Sequence, residues 1–160
     1  ELIEGKFYDM APPKRIHQEL VMELSAVIRE HIREKGGNCK IYPAPFAVNL
    51  DREDRDWVEP DISVVCDPAK LTDRGCSGAP DLVAEIVSPS SSRMDYIIKL
   101  ALYSETGVRE YWIVDPDRGR TTVYFLERAD APVLYSFDQP IASGIFPGLV
   151  VTISDLLSGE

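Results

Sequence analysis

Two carboxylates set in apolar strands, and one lysine on the helix that follows them, are the residues of this chain whose types and spacing could do chemistry. Asp61 follows Pro60 and opens the apolar run 62–65. Glu85 sits inside the run 82–87, with Val83 and Val87 on its own face of the strand. A carboxylate among apolar side chains is costly to bury unless it is paired, hydrogen-bonded or metal-bound. Two carboxylates from adjacent strands can hold a hard divalent cation such as Mg²⁺ or Mn²⁺, which prefers oxygen ligands. Such a cation polarises a phosphoryl group and lowers the pKa of a bound water. A lysine, here Lys99, can orient that water or stabilise charge developing on phosphorus. The chemistry would be phosphodiester cleavage. The competing reading makes Asp61 and Glu85 hydrogen-bonded polar groups at strand ends, and Lys99 a helix-surface lysine paired with Asp95 four residues earlier.

The elements that must position these residues are legible from periodicity. Residues 1–10 alternate loosely around Gly5-Lys6 and predict a short hairpin, broken by Pro12-Pro13. Between about Lys14 and Lys35, Ile16, Leu20, Leu24, Val27, Ile28 and Ile32 recur at spacings of three and four, which predicts a long amphipathic helix. Gly36-Gly37-Asn38 stops it. Short strands are expected at 40–42 and 46–50. A solvated charged turn is expected at 51–56, with a ligand loop as the alternative there. Residues 67–78 read as an exposed loop with one helical turn at 68–71. The run 82–87 reads as a central strand, and Ser88, Ser90 and Ser91 as caps of a helix at 93–106 with Met94, Ile97, Ile98, Ala101 and Leu102 inside. No G-x-S-x-G surrounds those serines, so they are not read as nucleophiles. Strands follow at 110–115, 121–126, 132–137 and 150–153, with Tyr111 and Trp112 as sheet packing, and a turn or helix begins at Ser154. This order predicts a mixed α/β sheet with helices packed against it.

Composition narrows the function classes. A chain of 160 residues fits one domain, 1–160. Lys plus Arg number 17 against 27 Asp plus Glu, a net charge of −10. That balance argues against loose, non-specific DNA binding and suits a protein that needs a divalent cation before a polyanion can approach. No apolar run nears the roughly 20 residues that cross a bilayer, and no secretory signal is legible. The chain begins at Glu1 without methionine, as expected if a short native start lies upstream. Cys39, Cys66 and Cys76 are odd in number and lack CxxC spacing. They are read as unbonded, Cys66 as a small core residue, in a reducing cytoplasmic setting and without a zinc site.

Several stretches together resemble the Uma-type family of restriction endonucleases within the PD-(D/E)xK nuclease pattern. They are Leu2-Ile3-Glu4-Gly5, Pro12-Pro13, Tyr42-Pro43-Ala44-Pro45-Phe46, Glu59-Pro60-Asp61, the segment 78–90 around Pro80-Asp81 and Glu85, Lys99-Leu100-Ala101-Leu102-Tyr103, and the segment 107–116. The resemblance runs through nearly the whole chain. It implies a restriction-endonuclease-like fold, a mixed β-sheet core flanked by α-helices, here with extra N-terminal and C-terminal strands. It also implies a site in which Asp61, Glu85 and the backbone carbonyl of Ile86 bind Mg²⁺ or Mn²⁺. One departure stands out: the motif's lysine position, two residues after Glu85, is Val87. The family pattern displaces that lysine to the next helix, which maps to Lys99. Related nucleases add a ligand from the first helix, which makes His17, Glu19 and Glu23 accessory candidates, with a solvated face the competing reading of the two glutamates. Asp81 and Tyr103 are further accessory candidates, the first equally read as bonding to a loop, the second as a core tyrosine that could orient Lys99.

The expected function is metal-dependent cleavage of DNA, with a homodimer plausible because cutting both strands takes two sites or two visits. The alternative is a catalytically silent nucleic-acid-binding or assembly protein that keeps the fold, since a fold does not guarantee an activity.

Overall fold

The computed structural model of the chain describes residues 1–51 and 53–158. The expected charged turn at 51–56 is covered except for Arg52, which lies outside the described residues. Leu2–Ile3 (β1) and Lys6–Phe7 (β2) pair as the predicted hairpin. Arg15–Glu34 (α1) is the long helix; of the stripe its spacing predicts, Leu20, Leu24, Ile28 and Ile32 are buried and Ile16 and Val27 partly so, with Val21 and Ser25 buried beside them. Lys40–Pro43 (β3), Val48–Asn49 (β4), Trp57–Val58 (β5) and Ile62–Val65 (β6) follow. The stretch predicted as a loop holds its single turn at Pro68–Lys70 but also a hairpin, Leu71–Thr72 (β7) and Gly75–Ser77 (β8). Only glycine fits at Gly75: φ is +136°, and a Cβ would stand 2.0 Å from the Ala47 carbonyl oxygen.

Leu82–Ile86 (β9) leads to a π-helical segment, Met94–Lys99, that runs directly into Leu100–Thr106 (α2). The remaining elements are Glu110–Asp115 (β10), Arg120–Tyr124 (β11), Val133–Ser136 (β12), Ile141–Ala142 (β13), Val150–Val151 (β14) and Ile153–Ser158 (α3). β13 was not expected; two residues are too short to show an alternation.

The main sheet has the order β12-β11-β10-β9-β6-β3. Its central pair, β9 and β10, is parallel, and the other neighbours are antiparallel. A parallel pair needs a crossover, which the π–α2 helix supplies. Both central strands are buried along their whole length, the physical reason that their sequences do not alternate between apolar and polar. α1 covers one face, setting Leu20, Leu24 and Ile28 against Ile62, Ala84 and Trp112. The π–α2 helix covers the other, where Leu102 and Tyr103 meet Val83, Tyr111 and Ile113. A second sheet, β2-β1-β5-β4-β8-β7, joins this second cluster through Ile3, Val48 and Val58. The architecture is the expected mixed sheet between helices, with added strands at both ends of the chain.

Two readings are corrected. The inner face of the second helix is only partly the one predicted: Leu102 is buried and Met94 and Ile98 pack against the core, but Ile97 is 61% exposed, Ala101 is exposed, and Asp95, Lys99 and Tyr103 are buried instead. A π turn closes i→i+5 hydrogen bonds and takes more residues than an α turn, so it rotates the faces that a 3.6-residue period predicts. The cysteines also differ from expectation, for Cys39 and Cys66 form a disulfide. They sit one step beyond the pair Lys40↔Val65 of β3 and β6, so the antiparallel register sets them opposite each other. The bond spans 27 residues of sequence. Reduction is expected to lower stability by about 3–4 kcal/mol through the entropy returned to the unfolded chain. A urea midpoint that does not fall in dithiothreitol would refute this. Cys76 remains free and buried; burial pushes its thiol up to about 11.

Candidate active site

The antiparallel register of β6 on β9 places Asp61 across from Glu85, because Ile62 pairs with Ala84. Short hydrogen bonds knit the two strand ends together. Asp61 Oδ2 accepts from the backbone N–H of Ile86 at 2.7 Å. The Asp61 N–H points to Glu85 Oε2 at 3.3 Å. From the start of α1, His17 Nε2 lies 3.0 Å from Asp61 Oδ2. Its Nδ1 is buried and has no hydrogen-bond partner among the described residues.

Lys99 does reach back to Glu85. Its Nζ donates to Glu85 Oε1 at 2.8 Å, and the Tyr103 hydroxyl donates to the same oxygen at 2.9 Å. Two residues that sequence reasoning did not place in the site complete the ring around the ammonium. Glu1 Oε1 is 2.9 Å away and Asp95 Oδ1 3.9 Å away. Asp95, Lys99 and Tyr103 are spaced by four and all face inward, one above the next along the helix. Their common spacing was the available signal; nothing in the sequence pointed to Glu1. Ser91 Oγ donates to Asp95 Oδ2 at 2.7 Å. Ser88 and Ser91 thus brace each other and Asp95, and the helix start at Arg93 has no side-chain cap.

Glu85 and Lys99 are each only 3% exposed. Burial pushes Glu85 well above the usual carboxylate range; Lys99 opposes that shift, and Asp61, Asp95 and Glu1 add to it. For Lys99, burial pulls downward, but Glu85, Glu1 and Asp95 outweigh it and hold the ammonium charged beyond its ordinary value. Burial likewise pushes Asp95 up to about 6. Three carboxylates, Glu1, Glu85 and Asp95, share one ammonium here with Asp61 close by, a crowding of acids that a bound cation would relieve.

The other candidates lie elsewhere. Asp81 accepts from the Cys66 N–H at 2.7 Å and from Arg109 at 3.2 Å, at the far end of β9. Glu19 pairs with Arg15 on the exposed side of α1, and Glu23 is exposed too. Tyr111 and Trp112 pack within the sheet, donating to the Asp95 carbonyl and to Glu110. Two shallow grooves of about 440 and 480 Å³ run beside α1 and α3, and their lining includes neither Asp61, Glu85 nor Lys99.

The donor chemistry fits a hard divalent ion. Asp61 and Glu85 offer carboxylate oxygens and Ile86 a carbonyl. Asp61 Oδ1 makes no hydrogen bond among the described residues, its neighbours all engaging Oδ2. Among those residues no group of three or more His, Cys, Asp or Glu side chains is arranged as a metal cage. Mg²⁺ commonly binds through one or two carboxylates and takes its remaining ligands from water and substrate phosphate.

The mixed sheet flanked by helices, with Asp61 and Glu85 on neighbouring strands, is the fold expected of a protein of the restriction-endonuclease-like class. Within that class, residues 1–154 match the family model Uma2, described as "Putative restriction endonuclease", and the chain belongs to this family. A crystal structure from Anabaena variabilis, described as a "putative nuclease belonging to DUF820", is similar at a TM-score of 0.80 and 22% identity, over 98% of this chain and 88% of that one. At that identity the likeness concerns the fold. An uncharacterized protein of Synechocystis sp. is 26% identical over 114 residues, 71% of this chain and 58% of that protein. The chain therefore spans less than two thirds of the length of this curated relative.

Proposed function

We propose that the protein is a metal-dependent endonuclease that hydrolyses DNA phosphodiester bonds, acting as one nuclease domain. The observation that carries this reading is the contact of Lys99 Nζ with Glu85 at 2.8 Å, which supplies from a helix the lysine that Val87 cannot. Asp61, Glu85 and the Ile86 carbonyl are the groups that would hold Mg²⁺ or Mn²⁺. A bound ion of this kind polarises a phosphoryl oxygen and acidifies its water. The rest falls to the chain's own residues. Lys99, fixed by Glu85 and Glu1, sets a positive charge beside the reacting phosphate and can orient the attacking water. Tyr103 holds Glu85 in place, and His17 holds Asp61.

Supercoiled plasmid is the direct test. Nicking is expected with Mg²⁺ or Mn²⁺, is expected to stop on chelation with EDTA, and is expected to vanish in Glu85→Gln. Equal nicking by Glu85→Gln, or nicking that survives EDTA, would overturn the assignment.

One observation favours a second reading: Lys99 is almost fully enclosed and its ammonium is engaged by three carboxylates. A silent protein that keeps the fold and binds nucleic acid would give metal-independent gel shifts of duplex DNA without cleavage. For the nuclease, two-strand cutting favours a homodimer, and a monomer in sedimentation at working concentration would defeat that. No helix among the described residues is long and apolar enough to cross a membrane. A cytoplasmic location is part of the proposal, and the Cys39–Cys66 bond runs against it, since disulfides persist mainly in oxidising compartments.

A further inference from the structure

The chain has few cations to spare, so where they stand carries information. Arg109 is bound to Asp81 and Glu127, and Arg128 to Asp130, away from the site. The turn between β10 and β11 is different. Glu85 pairs with Ile113 and Ile113 with Thr122, while Asp115 pairs with Arg120. Arg120 thus stands two strands across and two residues along from Glu85, about 12 Å by ordinary strand dimensions. Partners across a ladder, and residues two apart along a strand, share a face. Arg120 and Asp115 therefore lie on the sheet face that carries Glu85.

Asp115 is 1% exposed and holds Arg118 from two sides. Its Oδ2 accepts from Arg118 Nη1 at 2.9 Å and its Oδ1 from the Arg118 N–H at 3.1 Å. Arg118 itself is 53% exposed, so a buried carboxylate aims a guanidinium whose remaining N–H groups face outward. Tyr96, on the helix that carries Lys99, donates to the same Asp115 oxygen at 3.2 Å and ties the turn to the site. Arg120 makes no ion pair among the described residues, and its buried Nε has no hydrogen-bond partner there. From the other side Lys14, three residues before His17 and 60% exposed, reaches Asp117 of the same turn at 3.7 Å.

We propose that Arg118 and Arg120, with Lys14 beside them, form a strip that grips the phosphate backbone of a nucleic-acid duplex next to the Asp61–Glu85 centre. The role of the strip rests on the nuclease reading, but its existence is tested without cleavage. Its separation from Glu85 corresponds to about three nucleotide rises along one strand. The strip thus holds phosphates flanking the one at the centre. It reads no bases, because guanidinium contacts to phosphate position a duplex without specifying sequence.

The test measures binding of a short fluorescent duplex by anisotropy, with Ca²⁺ in place of Mg²⁺, across a salt series. The variant Arg118→Gln/Arg120→Gln is compared with Arg29→Gln/Arg33→Gln, which removes the same two charges from exposed positions further along α1. Either pair takes the net charge from −10 to −12. The first pair is expected to weaken binding about 10–100-fold at 0.1 M salt and to lower the salt slope by about two, equally for every duplex sequence. The second pair is expected to leave both nearly unchanged. Melting curves establish that each variant folds. Hydrolysis of bis(p-nitrophenyl) phosphate with Mn²⁺ reads the centre separately and is expected to be equal in wild type and Arg29→Gln/Arg33→Gln. Unchanged affinity and slope in the folded Arg118/Arg120 variant overturn the strip, as does a wild type that binds no duplex. A wild type whose duplex binding depends on these arginines but which hydrolyses nothing upholds the strip and defeats the nuclease reading.

Discussion

Lys99→Met is expected to abolish DNA cleavage and to destabilise the protein by about 3–5 kcal/mol, the usual cost of removing one partner from a buried ion pair. The reason lies in what is left behind. Glu85, Glu1 and Asp95 all face Lys99 Nζ within 4 Å, in a site from which water is largely excluded. Methionine fills a similar volume but neutralises none of them. Adding Glu85→Gln is expected to recover part of the stability and none of the activity, which separates the structural role of the pair from its chemical one. The pH dependence has a definite sign. Burial already raises Glu85 above its ordinary value of 4.5, and Lys99 is the neighbour that opposes the rise. Without Lys99 the folded state keeps a proton that the unfolded chain has released. Stability of Lys99→Met therefore falls as pH climbs above about 4.5 and is recovered below it. Thermal melts from pH 4 to pH 8 should show this slope in the single variant and a shallower one in the double. A Lys99→Met protein that still nicks plasmid, or that matches wild type at pH 8, would refute the assignment.

Asp61→Asn carries the second large effect. Asparagine keeps the shape and an oxygen to accept from Ile86, so the bond now at 2.7 Å can survive and the fold should change little. What disappears is one negative charge at the position proposed for the ion. Lewis-acid stabilisation is worth several kcal/mol, so cleavage is expected to fall by about 10³-fold or more. Calorimetric titration of Mg²⁺ and Mn²⁺, run with uncleavable duplex present so that phosphate can complete the coordination, should give binding in wild type and none in Asp61→Asn. Equal binding in both would place the ion elsewhere or nowhere.

Much of the framework could be read from the residues, for identifiable reasons. α1 followed from a stripe at spacings of three and four. β9 and β10 followed from apolar runs, which mark strands buried on both faces. Asp61 and Glu85 stood out because charge inside such runs breaks the pattern. The direction of Lys99 was a different matter. A period of 3.6 puts Ile97 and Ala101 inside and gives no warning of the π turn that replaces them with Asp95, Lys99 and Tyr103. Glu1 was invisible because its place depends on β1 pairing with β5, after which the next residue, Glu59, brings its N–H to the Glu1 side chain. The Cys39–Cys66 bond depends on the register of β3, a four-residue strand whose burial does not alternate, so spacing alone could not pair the two sulfurs.

The lysine that travels on a helix has one more consequence. Had it stood on β9 two residues after Glu85, both groups would belong to the same cooperative unit, and no opening short of losing the central sheet could part them. Here Glu85 belongs to the ladder and Lys99 to a helical stretch that is too short to persist alone in water and is held by docking. Sub-global openings run through such stretches more cheaply than through central strands. Detaching this one dismantles the centre while every rung between β9 and β10 stays closed. In hydrogen exchange the amides of the Lys99 helix should therefore trade before those of the sheet, and loss of activity in denaturant should track the helix.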